Sequence, residues 1–308
     1  IMKNFIVTVN INKNLFKKLK NIFLKNKNQN LLKKKILKNK KFFKFIKNCE
    51  KKIKSNRIKG IIISFSKKQL IDPKLMTILT ETVSNILGLL IPQNNKNEKL
   101  IFVYDRNRNY SMHKGSRYHQ TREGGSIHTD NVNVSEKWDY MILSCLSSPE
   151  VGGENIFVNA DLVYSKLKKI PIALNTLKKK FLWEKRGVSK NFYRAPVLTV
   201  KNKIPEFRYL RPYMISAYER KKISMTKKQL FSLDTLDAIL EDSNNQIRKK
   251  MHPGDLLLVK DSQFFHGRTS FSDYFNSKEI FSYNNKNKKK FFKRTMLRAW
   301  IKQKNYLQ

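Results

Sequence analysis

Two short segments carry side chains suited to holding a metal ion. In Ile127-His128-Thr129-Asp130 an extended backbone sends residues i and i+2 to one face, so an imidazole and a carboxylate stand side by side. That is two-thirds of the 2-His-1-carboxylate set that grips Fe(II) from one side and leaves its other positions open. A lone His-x-Asp arises readily by chance, so a third ligand is required. The candidate is His266, which closes the run Pro253-Gly254-Asp255-Leu256-Leu257-Leu258-Val259-Lys260-Asp261-Ser262-Gln263-Phe264-Phe265-His266-Gly267-Arg268. A turn, a buried strand, a second turn and a second strand deliver it. A histidine that merely packs beside a turn is the competing reading. In Lys293-Arg294-Thr295-Met296-Leu297-Arg298-Ala299-Trp300, Arg294 and Arg298 interrupt an apolar strand pattern. A buried guanidinium there either forks onto the far end of a dicarboxylate or closes a structural salt bridge.

Strands must position these groups. Short apolar runs separated by turns begin at Leu100: 100–104, 126–130, 140–146, 155–158, 195–200, 256–259 and 263–266. Closely spaced short strands predict a barrel or sandwich. Helical insertions are expected near 160–180 and 226–250, and a low-complexity loop near 276–292. Upstream, 60–65 reads as a strand. Asp72-Pro73 supplies an N-cap and a proline at the first helical position, followed by apolar residues at helical spacing to Leu87. Residues 11–58 place Leu15, Phe16, Leu19, Ile22 and Phe23 on one helical face among lysines. The division expected is a Lys-rich helical N-terminal layer over 1–98, packed on a strand-rich core over 99–308.

The chain has 308 residues and a formal charge of +42, which invites a nucleic-acid reading. Its makeup argues otherwise. There are 51 Lys but 14 Arg, beside 31 Asn, so the excess follows A- and T-rich codons rather than forked phosphate contacts. Residues 1–60 carry 20 basic side chains against 1 acidic, whereas 104–158 carry 6 against 7. The middle of the chain resists the drift. Hydrophobic residues at 40% exclude wholesale disorder, and no apolar run of about 18 residues is present to span a bilayer. Cys49 and Cys145 cannot make a disulfide framework. The first ten residues lack the charge and apolar pattern of a secretion signal, so a cytoplasmic protein is expected.

The chain resembles the Fe(II)/2-oxoglutarate-dependent dioxygenases of the taurine dioxygenase and clavaminate synthase type. The matching pieces are HTD at 128–130, WDYMILSCL at 138–146, GGENIFVNADLVYSKL at 152–167, PGDLLLVKDSQFFHGRTSF at 253–271 and RTMLRAW at 294–300. The resemblance implies an α+β protein with a double-stranded β-helix (jelly-roll) core, flanking helices and an N-terminal helical extension. It implies that His128, Asp130 and His266 bind Fe(II), and that Arg294 clamps the remote carboxylate of 2-oxoglutarate. Arg298 would support that carboxylate or the substrate, with the choice between the two arginines open across a long loop. Asn155 stands where the family usually has Thr as a second cosubstrate contact. Relatives that halogenate lack the carboxylate; with Asp130 present, hydroxylation or desaturation of a small molecule by O₂ is implied, releasing succinate and CO₂. An amino-acid derivative or specialised-metabolism intermediate is the implied substrate class.

Substrate contacts are expected from the polar stretch 104–123, with Arg117, Tyr118, His119 and Gln120 at the mouth. Arg122 and Glu123, just before the Gly124-Gly125 turn, are the preferred pair, against the alternative of a surface ion pair. Arg208, Arg211 and Tyr213 fall in an insertion that would serve as a lid or as structure. A basic nucleic-acid-binding protein and a non-catalytic barrel are the competing functions. Specific nucleic-acid binding is not expected, and the sequence leaves the oligomeric state open.

Overall fold

The computed structural model describes residues 5–26, 28–55, 57–65, 71–106, 118–130, 132, 137–185, 189, 191–282 and 291–303. Strand β1 (Ile6–Asn10) leads into helices α1 (Lys13–Leu24), α2 (Gln29–Leu37) and α3 (Lys40–Lys54). Each helix starts at an asparagine, Asn12, Asn28 or Asn39, whose side chain accepts from a first-turn N–H. On α3, Phe42, Ile46, Cys49, Glu50 and Ile53 are buried at helical spacing while most lysines face out. Strand β2 (Gly60–Ser64) and helix α4 (Pro73–Leu87) follow. Asp72 caps α4 as its sequence predicts, accepting from the Lys74 N–H at 2.7 Å. The helix stops at Gly88, where a Cβ would lie 2.2 Å from the Lys302 carbonyl. The short strand β3 (Leu89–Leu90) and β4 (Leu100–Val103) complete this part.

Strands β5 (Gly125–His128), β6 (Tyr140–Ser147), β7 (Val151–Gly152) and β8 (Asn155–Asn159) come next, then helices α5 (Ala160–Leu167) and α6 (Pro171–Leu177). Two hairpins join β9 (Lys180–Glu184) to β10 (Phe192–Pro196) and β11 (Leu198–Lys201) to β12 (Ile204–Phe207). After α7 (Arg211–Arg220) and α8 (Lys227–Glu241) come β13 (Gln246–Lys249), β14 (Asp255–Val259), β15 (Phe264–Arg268), β16 (Phe271–Ser272) and β17 (Thr295–Lys302).

The large sheet runs β1-β2-β14-β6-β17-β3, with β4 also on β17. The small sheet runs β13-β8-β15-β5. They form the two walls of a jelly roll. Alternation explains the apolar runs. Ile61, Ile63, Leu256, Leu258, Leu297 and Ala299 pack outward against α3 and α4, while Ile62, Leu257, Val259, Met296 and Trp300 pack inward against Phe157 and Phe264 of the small sheet. Strands covered on both faces need no polar side. Helices α5, α6 and α8 cover the outside of the small sheet through Val163, Leu177, Leu236 and Ile156. Among the described residues no helix is long and apolar enough to cross a membrane.

Several expectations change in detail. The first 98 residues supply β1, β2 and β3 to the large sheet as well as a helical layer, so the sheet runs across the 98/99 division. The insertion near 226–250 is helical only to Glu241. Asn245 Nδ2 then donates to the Ile239 carbonyl, and Gln246–Lys249 becomes an edge strand beside β8. The expected strand 195–200 splits at Val197 into two separate hairpins. The strand expected over 126–130 ends at His128. Of the 276–292 loop, 283–290 lie outside the described residues. Its neck is closed by Lys278 N–H to Phe291 O at 3.0 Å and Lys293 N–H to Lys278 O at 2.9 Å, which returns the chain to β17.

Because α3 shares the core of the large sheet, Phe42→Ala should destabilise the whole protein by about 3–5 kcal/mol. Urea unfolding followed by far- and near-UV circular dichroism checks this. A separate early transition with an unchanged main midpoint would mean that the N-terminal helices are an appendage.

Candidate metal centre

His128 and His266 face each other across the β5/β15 ladder, where they are direct register partners. Their rings lie 4.4 Å apart, centroid to centroid. Asp130 sits two residues beyond β5 in a tethered turn. Thr129 N–H donates to the Tyr209 carbonyl at 2.9 Å, Tyr209 N–H donates back to Thr129 Oγ1 at 3.0 Å, and Asp130 N–H donates to Asp261 Oδ1 at 2.9 Å. Thr129, fully buried, is therefore the hinge of the HTD motif. One ligand atom from each of His128, Asp130 and His266 lies within 4.8 Å of the other two.

The donor chemistry fits a divalent metal. His128 Nδ1 is 2.5 Å from the Ser126 carbonyl, which fixes the proton there and leaves Nε2 bare, 3.9 Å from Asp130 Oδ1. His266 Nδ1 is buried without a hydrogen-bond partner among the described residues. Burial, then the neighbouring His128, pushes His266 down to about 3, and burial also lowers His128. Both imidazoles are thus neutral, the form in which an imidazole can bind a metal. Burial drives the Asp130 carboxyl up, but the Arg298 guanidinium, with the Trp300 N–H, outweighs it and holds it below the usual range. Two nitrogens and one ionised oxygen on one side of a cavity form the facial set that suits Fe(II).

A cavity runs from this triad to Arg294, past Asn155, Met141, Leu143 and Val103. Arg294 is buried, and its guanidinium makes no hydrogen bond or ion pair among the described residues; it lies 5.1 Å over the Phe271 ring. Burial, then the nearby Arg268, pulls it down to about 10. Gly153, at φ +68°, lets the backbone pass this side chain; a Cβ there would sit 3.2 Å from Arg294 Nε. Asn155 Nδ2 reaches the Lys249 carbonyl at 3.4 Å. Arg298 lines the cavity too but is already paired: its Nη1 donates to Asp130 Oδ1 at 2.8 Å. A second arm, which shares Tyr118, His119, His128, Asp130 and Arg298 with the first, is also lined by Val132, Leu210 and Tyr213.

Arg122 and Glu123 line neither arm. Arg122 Nη2 and Nε hold Asp105 Oδ2 at 2.5 and 2.8 Å, because that buried carboxylate needs a cation. Arg211 is drawn away to Asp234 and Asp237, and Arg208 to the Tyr193 hydroxyl. Arg117 lies outside the described residues. Sequence reasoning missed three participants. Arg268 bonds the Tyr118 and Thr121 carbonyls and lies 4.0 Å over the Tyr118 ring, tying that segment to β15. Trp300 Nε1 donates to Asp130 Oδ2 at 3.2 Å, and Gln93 Oε1 accepts from Arg298 Nε at 2.8 Å. The strand period of RTMLRAW places Arg298 and Trp300 on one face and would have flagged Trp300. No signal marks Gln93.

With these distances in place, comparisons with known proteins become informative. The sequence pattern of the taurine catabolism dioxygenase TauD, TfdA family matches residues 80–300. The FR-33289 synthase of Streptomyces rubellomurinus (strain ATCC 31215) is 25% identical over 193 residues, which are 61% of this chain and 55% of that protein. The chain thus spans about half the length of that curated relative. Similar solved structures include asparagine oxygenase with Fe(II), 2S,3S-3-hydroxyasparagine and succinate, with a TM-score of 0.65, 13% identity, and coverage of 96% of this chain and 93% of that one. Non-heme iron oxygenase OrfP with Fe and alpha-ketoglutaric acid has a TM-score of 0.66, 13% identity, and coverage of 96% and 94%. At such identities these two structures establish the jelly-roll fold.

The depressed His266 has a consequence for stability. Below pH 6.5 the unfolded chain takes up its proton while the folded chain does not, until about pH 3. Stability of the metal-free protein should therefore fall on acidification from pH 6 to 4.5, with His266 contributing about 1.4 kcal/mol per pH unit once its unfolded form is protonated. Denaturant titrations across that window should show a shallower slope for His266→Gln; an unchanged slope contradicts a neutral buried His266.

Proposed function

The chain belongs to the taurine catabolism dioxygenase TauD, TfdA family, and from that premise we propose that it oxidises an unactivated C–H bond of a small molecule, by hydroxylation or desaturation, using Fe(II) and 2-oxoglutarate. One observation carries the reading. The His128, Asp130 and His266 ligand atoms converge in the same cavity as the Arg294 guanidinium, which has no hydrogen-bond or ion-pair partner among the described residues. When bound, iron and 2-oxoglutarate supply with O₂ the oxidising power, the cosubstrate leaving as succinate and CO₂. The remaining work belongs to the protein. His128 and His266 offer neutral lone pairs, and Asp130 adds one negative charge. Arg294 receives the remote carboxylate of 2-oxoglutarate as a two-pronged donor, with Asn155 beside it. Apolar Val103, Met141 and Leu143 line that arm and exclude water, which strengthens the ion pair. The arm past Tyr118, His119, Val132, Leu210 and Tyr213 is left for the substrate, so these residues replace Arg122 and Glu123 as the candidate contacts.

For the substrate, an amino-acid derivative or specialised-metabolism intermediate remains the favoured class. The structural relatives support it, since asparagine oxygenase was solved with hydroxyasparagine and OrfP with (3S)-hydroxy-L-Arg. Asp130 favours oxygenation over halogenation, because the third protein ligand takes the position a halide would need.

Anaerobic addition of Fe(II) and 2-oxoglutarate should produce the weak visible charge-transfer band of the chelate. Asp130→Ala and His266→Ala should abolish it. Arg294→Ala should raise the half-saturating 2-oxoglutarate concentration on the order of 100-fold, from the loss of a buried charge-assisted fork. Should Arg298→Ala produce that rise instead, the anchor assignment is reversed. Succinate release screened over amino-acid-like compounds tests the substrate class; coupled turnover confined to compounds of another class overturns it.

A further inference from the structure

Both oxygens of Asp130 are held by side-chain donors, of which Arg298 also lines the cavity and Trp300 does not. Arg298 Nη1 donates to Oδ1 at 2.8 Å and Trp300 Nε1 to Oδ2 at 3.2 Å. Each of these donors is itself fixed. The Trp300 ring stacks on Trp138 at 3.8 Å and 14°. Arg298 is clamped by Gln93, a fully buried carboxamide on the segment joining β3 to β4. Gln93 Oε1 accepts from Arg298 Nε at 2.8 Å, while its Nε2 donates to the carbonyls of Arg298 and Lys99, both at 2.9 Å. The main-chain N–H of Gln93 donates to the Glu98 carbonyl at 2.8 Å. An amide flip would set its NH₂ against the Arg298 N–H and its oxygen against two carbonyls, so only one orientation is allowed. That orientation fixes the plane of the guanidinium, and Nη1 then meets Asp130.

We propose that Gln93 and Trp300 are positioning residues for the iron-ligating carboxylate, holding Asp130 in its ligating orientation before any metal arrives. This rests on Asp130 being a metal ligand. The physical ground is preorganisation: a carboxylate free to rotate must be ordered when the ion binds, whereas one bonded at both oxygens is already placed. The N-terminal part of the chain, through Gln93, thereby reaches the metal site.

The test uses Co(II), whose ligand-field absorption reports geometry without turnover, on the metal-free full-length protein. Gln93→Leu and Trp300→Phe should each raise the Co(II) dissociation constant about 10-fold or more and shift the absorption bands. Thr80→Val, which loses a buried hydrogen bond to Ser144 at 2.7 Å away from the metal, should stay within twofold of wild type with unshifted bands. Folded Gln93→Leu and Trp300→Phe proteins with wild-type affinity and spectrum overturn the proposal. Should either variant fail to fold, wild-type tryptophan emission decides: Zn(II) binding must change it through the Trp300–Asp130 bond, and no change at saturation overturns the proposal. Wild-type protein that binds Co(II) no better than Asp130→Ala overturns the metal reading and this one together.

Discussion

The register between β5 and β15 is the constraint on which the site depends. His128 and His266 are 138 residues apart in the chain yet become direct neighbours on one ladder. A slip by one residue would turn one imidazole to the opposite face and end metal binding. The ladder is braced on its β15 side. β15 pairs with β8 over five consecutive residues, from Phe264↔Asn159 to Arg268↔Asn155, which fixes it independently of β5. Between His266 and Arg268 the pairing with β5 is irregular, and the intervening residue is Gly267, where a Cβ would lie 3.1 Å from the Gly125 carbonyl. A small residue there lets the two strands close up beside the histidines.

The second organising feature is how buried charge is disposed of. Asp130, Arg268, Arg294 and Arg298 are all nearly inaccessible, and each ion removed from water costs several kcal/mol unless it is met. Asp130 and Arg298 meet each other. Arg268 spends its guanidinium on backbone carbonyls and the Tyr118 face. Arg294 alone among these four has no such partner in the described structure, and its depressed pKa records that imbalance. An anionic carboxylate bound there would remove it. The same ledger separates two arginines that the sequence left interchangeable: Arg298 is committed to Asp130, and Arg294 is available.

Much of this was legible in the sequence because it is local. Turn residues, strand alternation, the Asp72-Pro73 helix start and the HTD and HGR motifs all report on neighbours a few positions away. What was not legible is long-range. β1 is a strand because Ile6–Asn10 lies parallel beside β2 at the edge of the large sheet, a pairing no five-residue pattern announces. Arg122 beside a glycine turn looked poised for a ligand; the buried carboxylate that claims it, Asp105, lies across the fold. Gln93 is one polar residue in a polar loop until Arg298 arrives from the far end of the chain. Burial and partner, rather than residue type, decide such roles.

The lysine-rich composition finds its explanation in the same geometry. On α3 most lysines need only reach water, and the asparagines that accompany them serve as helix caps. A point charge on a flexible stem suffices there. Beside the cavity, Arg298 donates in two directions at once: it reaches Gln93 through Nε and Asp130 through Nη1. A lysine ammonium has a single nitrogen and cannot satisfy two acceptors placed along a planar fork. Drift toward lysine is therefore tolerated where the charge is solvated, and beside the cavity the guanidinium of Arg298 is kept where it bridges two fixed groups.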